Sequence, residues 1–116
     1  MSASTIYKIE SAEVWAEAQE AGSYGGSALD RADGYIHFST AKQAEATLHK
    51  WFAGRKGLIV AAIDVAKLGA PLRYEPARGG DLFPHLYAAL PMSAVRWTRA
   101  IRDLPDGGHA MDALEA

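Results

Sequence analysis

The chain has 116 residues, enough for one hydrophobic core and too few for two. Its hydrophobic fraction of 49%, charged fraction of 22% and net charge of −2 are those of an ordinary globular protein, and they exclude the strongly basic footprint of a general nucleic-acid binder. Cysteine is absent, which removes disulfides, thiolate metal sites and cysteine nucleophiles; with no apolar run of membrane-spanning or signal-peptide length, the expectation is a cytoplasmic protein that does not engage membranes.

Residues 5–10, TIYKIE, alternate as a short strand with Ile6 on one face and Tyr7 and Ile9 on the other. Ser11 then opens a helix, AEVWAEAQEA, with Glu13 in its first turn and Gly22 as its stop. Residues 22–34, GSYGGSALDRADG, carry four glycines and no periodicity, so a loop of about a dozen residues is expected, long enough to suggest function. YIHFS follows as a strand, with Ile36 and Phe38 directed to the core and Tyr35, His37 and Ser39 to the other face.

Thr40 and Gln43 stand in the spacing of a capping box, and the helix they open places Ala44, Leu48, Trp51 and Phe52 on one side before Gly54. His49 lies beside lysine and is read as solvated. LIVAAIDV, from Leu58, is a continuous β-branched run suited to a central strand covered on both faces. A short strand around Leu72–Glu75, bracketed by Pro71 and Pro76, suits an edge. FPHLYAALP is read as a strand with His85 and Tyr87 on one face and Leu86, Ala88 and Leu90 on the other. AVRWTRAIRD alternates Val95, Trp97 and Ile101 against Arg96, Thr98 and Arg102, and the tail after Pro105 is expected to fray. Helices early and strands late argue for an α+β domain over residues 1–104 and a tail over 105–116.

His37 and Ser39 share a face. Together they suit contact with ribose or phosphate oxygens, or acid/base work at His37; the other reading is a histidine bonded to loop backbone and a serine belonging to the helix cap. His85 opens a strand at a sheet rim, with Tyr87 on its face. Glu75 shares a face with Arg73, where an exposed ion pair is one reading and a site carboxylate the other. ARGGD presents Arg78 and glycine amides to an anion, and SYGGS presents Tyr24. No short His/Glu spacing supports a metal site.

In order along the chain, IYKI, GYIHFSTAKQ, LIVAAIDVAKLGAPLRYE and GGDLFPHLYAALP resemble the domain of unknown function 952 family of small bacterial proteins, over residues 5 to about 97. That family looks related in fold to the ADP-ribosyltransferase superfamily. The resemblance implies an ADP-ribosyltransferase-like split mixed sheet around an NAD-sized cleft, NAD being the cofactor such a fold suggests. A more distant similarity is to RNA 2′-phosphotransferases, whose H-x-H-x-S strand matches YIHFS except that Tyr35 replaces the first histidine. The expected function is an enzyme of ADP-ribosyltransferase type, or a non-catalytic binding domain, with a nucleotide-like ligand. In this reading His37, His85 and Glu75 are the catalytic candidates. Ser39, Tyr24, Arg73, Arg78 and Tyr87 are the binding candidates.

Overall fold

The computed structural model describes residues 4–115, apart from the side chain of Arg78. Strand β1 (Thr5–Ser11) runs into helix α1 (Ala12–Ala21), and Ser11 caps the helix by accepting a hydrogen bond from the Val14 amide at 3.2 Å. Gly22, at φ 86°, closes α1 in the left-handed conformation that glycine adopts without steric cost. After the two-residue strand β2 (Ser23–Tyr24), the segment expected as a loop folds into helix α2 (Ala28–Asp33). Ser27 and Asp30 build a capping box there, and Gly34 ends the helix. A six-residue helix makes fewer than two turns, too short to print an apolar period.

Strand β3 (Ile36–His37) leads to helix α3 (Ala41–Phe52), where the Thr40 amide donates to Gln43 Oε1 at 3.0 Å as the capping spacing predicts. Ala44 and Leu48 are buried, but Trp51 is 54% exposed and does not join the core face. Strand β4 (Leu58–Asp64) lies between β1 and strand β8 (Val95–Ala100), nearly all of it buried, as its unbroken apolar run requires. Strands β5 (Leu72–Pro76) and β6 (Leu82–Leu86) form a hairpin with β5 at the edge. The strand read through to Leu90 stops at Leu86, and Leu90 belongs to β7 (Leu90–Pro91), paired with β2. Beyond it, β9 (Arg102–Asp103) and β10 (His109–Ala110) pair with each other, and Met111 and Leu114 pack on a core cluster where fraying was expected.

Two three-stranded sheets result, ordered β1-β4-β8 and β3-β6-β5. All pairings among the described residues are antiparallel, so neither sheet is mixed. The sheets touch at one bridge, where Tyr7 and Ser39 exchange backbone hydrogen bonds of 2.8 and 2.9 Å. Alternation along β1 divides the core: Ile6 enters a cluster with Trp15, Ile36, Phe38 and Ile63, while Tyr7 and Ile9 enter another with Leu48, Leu58 and Val60. On the second sheet, Ile36 and Leu86 point into the first cluster. The opposite face carries a cross-strand row of Arg73, His85 and His37. No helix among the described residues is long and apolar enough to cross a membrane.

Candidate functional site

Past Tyr7, β1 keeps its partner β4 on one side but loses β3 on the other, so the sheets part and leave a cleft of about 950 Å³. Residues 7–11 form one wall, residues 37–39 another, and the three α-helices contribute the mouth. His37, Ser39 and His85 all line it. Of the polar face of the YIHFS strand, His37 and Ser39 meet the concavity, while Ile36 and Phe38 join the core and Phe38 also borders the cleft.

The floor is built around Asp30, which is 2% exposed and has both carboxylate oxygens fully engaged. Oδ1 accepts from the backbone amide of His37 at 3.1 Å and lies 2.6 Å from His37 Nδ1. Oδ2 accepts from Lys8 Nζ at 2.8 Å and from the Ser27 amide at 2.8 Å. Burial by itself would raise the carboxyl's pKa, yet the His37 hydrogen bond and the Lys8 charge outweigh it and hold Asp30 well below the usual carboxylate range. Lys8 is pushed down from the ordinary lysine value by burial, against the pull of Asp30; its ammonium also donates to the His37 carbonyl at 2.9 Å. Gly26 makes this packing feasible. It has φ 104°, and a Cβ there would stand 2.7 Å from that of Asp30.

Because Asp30 accepts at Nδ1, the neutral His37 ring carries its proton there and presents the Nε2 lone pair outward. Nε2 lies 3.0 Å from Asp33 Oδ2 on the last turn of α2, so the protonated ring donates to both carboxylates. The His37 side chain is 30% exposed, against 2% for Asp30. The arrangement holds one imidazole at a fixed angle and lets it give or accept a proton, or hydrogen-bond a hydroxyl, at Nε2.

His85, the cross-strand partner of His37, has its ring centroid 5.4 Å from that of His37. Its Nδ1 is 2.9 Å from Glu75 Oε1, which also accepts from Tyr87 Oη at 2.6 Å. The Tyr87 and His85 hydrogen bonds lower the Glu75 pKa. Tyr35 stacks on His85 at 4.2 Å and approaches Tyr87 at 5.1 Å. Glu75 therefore bonds to His85 and Tyr87 in place of the ion pair with Arg73, whose guanidinium sits 5.1 Å over the Tyr87 ring.

Of the other candidates, Ser39 is buried, and its hydroxyl lies 3.0 Å from that of Thr47. Glu75, Arg73 and Tyr87 fall outside the main cleft; Tyr87 lines a smaller cavity of about 260 Å³ with Tyr35. Tyr24 is also outside it, buried, with its hydroxyl bonded to Glu10, and burial raises its pKa. The Arg78 side chain lies outside the described residues. Sequence reasoning missed Lys8, Glu10, Asp30 and Asp33. The signals for three of them were the Ser27–Asp30 capping spacing and the alternation that puts Lys8 and Glu10 on the face of buried Ile6. Among the described residues no group of three or more histidine, aspartate or glutamate side chains is arranged to hold a metal ion.

The family of proteins of unknown function DUF952 matches residues 9–98, which include α2, the His37 strand and the His85 strand. The chain belongs to this family. Its fold is similar to that of protein CC0527 from Caulobacter crescentus, whose crystal structure has 42% sequence identity and a TM-score of 0.87, covering 91% of this chain and 93% of that one. A double mutant of CC0527 matches at 40% identity with the same TM-score, and the solution structure of CC0527 at 42% identity and TM-score 0.80, covering 90% of each chain. No curated protein matches this DUF952 sequence.

Proposed function

We propose that the cleft binds a small nucleotide-like ligand, NAD being one candidate, and that His37 contacts its ribose and moves a proton there. The observation that carries this reading is the 2.6 Å contact between buried Asp30 and His37 Nδ1, which fixes the ring so that Nε2 lies beside Asp33 in the cleft wall. The size of the cleft supports it, since small-molecule sites run from about 300 to 1,000 Å³. The resemblance to ADP-ribosyltransferases, which implies a split sheet around a cleft, also supports it, although the pairings among the described residues are antiparallel and not mixed. His85 backs His37 as a positioning group. Arg31 and Arg55 line the mouth of the cleft, whereas Arg73 does not.

The test is a thermal-shift and calorimetric panel of NAD, mononucleotides and nucleosides, with nicotinamide release followed in parallel. A ligand that raises Tm in the native protein, and not in the His37→Ala variant, is the expected result. Release of nicotinamide assigns transferase chemistry, whereas binding without release assigns a binding domain. No binding by any member near 1 mM, equivalent to about −4 kcal/mol, overturns the reading.

A further inference from the structure

Six large hydrophobic side chains are exposed among the described residues, and three of them stand in this one cleft: Val14 (39% exposed), Leu29 (54%) and Trp51 (54%). They come from three different helices, α1, α2 and α3. Scattered single exposed hydrophobics are normal, but three lining one concavity make an apolar patch suited to a ligand, with Lys50 Nζ 5.5 Å from the centre of the Trp51 ring. Leu29 and Asp33 are four residues apart on α2, hence on one face of that helix, so the apolar lip continues into the carboxylate beside His37 Nε2.

The charges of the cleft restrict the ligand further. Lys8 is consumed by Asp30, and Glu10 accepts from the Tyr24 hydroxyl and the Ser11 amide. What remains charged is two arginines, Arg31 and Arg55, against three carboxylates, Glu10, Glu17 and Asp33, with no cationic surplus for a polyphosphate. Asp33 would repel a phosphate placed at His37. A carboxylate beside an imidazole nitrogen instead suits a pair of neighbouring hydroxyls, which donate to the first and exchange a hydrogen bond with the second.

Resting on the nucleotide-cleft reading, we infer that the cleft recognises the nucleoside part alone: a planar base against Trp51, Leu29 and Val14, and the ribose diol at Asp33 and His37, with phosphate contributing nothing to affinity. Trp51 and Asp33 are the specificity-determining residues of this assignment.

Calorimetry with the four common ribonucleosides, their 2′-deoxy counterparts and their 5′-monophosphates tests it. The best ribonucleoside is expected to bind at least tenfold tighter than its 2′-deoxy form and within threefold of its monophosphate. Trp51→Ala should weaken it at least tenfold, and Trp51→Phe should restore most of that loss. Asp33→Asn should erase the difference between ribo and deoxy forms while the melting temperature stays within a few degrees. A monophosphate or NAD binding tenfold tighter than every nucleoside, or a deoxynucleoside binding as well as its ribo form, overturns the inference and leaves the nucleotide reading standing. Binding by none of these and none of the nucleotides overturns both.

Discussion

Two histidines face each other across β3 and β6, each with Nδ1 on a carboxylate, and the two pairs differ in depth. The Asp30 side chain is 2% exposed and joins His37 to Lys8 and to two backbone amides, tying α2, β1 and β3 together at the point where the sheets part. The Glu75 side chain is 33% exposed on edge strand β5, and its other hydrogen bond goes to the exposed Tyr87. The same contact thus serves the first pair as a buried tie between three elements and the second as a surface brace. Buried, a carboxylate with every lone pair satisfied is costly to remove; at the edge, water replaces what is lost.

Substitutions that separate the two pairs follow from that contrast. Asp30→Ala should have the largest effect, about 3–5 kcal/mol of stability measured by denaturant unfolding, because it strands the Lys8 ammonium without its counter-charge. A Lys8→Met/Asp30→Leu double variant should recover part of this loss, and a double variant as unstable as Asp30→Ala would show that the backbone amides, not the buried lysine, set the cost. Acid should expose the same difference. Asp30 has a lowered pKa in the folded protein, so its contribution is complete above the unfolded carboxylate value of about 3.9 and is lost as pH falls through the still lower folded value. The Asp30→Asn protein should therefore show a flatter fall in Tm between about pH 5 and pH 2 than the native protein, while Glu75→Gln should keep most of the native slope.

His37→Ala comes next, costing about 1 kcal/mol, since Asp30 keeps Lys8 and the Ser27 amide as partners while ligand binding is lost. An effect as large as that of Asp30→Ala would make His37 a structural residue. Glu75→Gln should be the mildest, a small lowering of Tm seen by calorimetry with nucleoside affinity within threefold of native. A tenfold loss of affinity there would mean that the two pairs act as one.

What could be read in the sequence tracks how regular each element is. The β4 run, the α1 cap and stop, and the split of Ile6 from Tyr7 and Ile9 were legible because burial on a strand or helix leaves a period. His37 was legible as a cleft residue by the same parity. Its partner was not: Asp30 lies in a segment whose glycines signal a loop, and α2 is too short for periodicity to contradict them. Lys8 was missed because a lysine in an alternating strand reads as solvent-facing, and only a tertiary contact 22 residues away accounts for its burial. Trp51 was placed in the core on helical spacing, and that spacing cannot distinguish a core stripe from the lip of a cleft.

The account depends most on His37 being held by Asp30 at Nδ1 and meeting ligand at Nε2 beside Asp33. With only four histidines in the chain, the imidazole resonances can be assigned in a ¹⁵N-edited NMR spectrum, and the ribonucleoside that binds best can be titrated into it. His37 should carry its neutral-state proton on Nδ1 and shift at Nε2 as ligand is added, with exposed His49 unmoved, and Asp30→Asn should weaken both the tautomer preference and the shift. A His37 ring protonated on Nε2 in its neutral state, or unmoved while ligand saturates the protein, would contradict it.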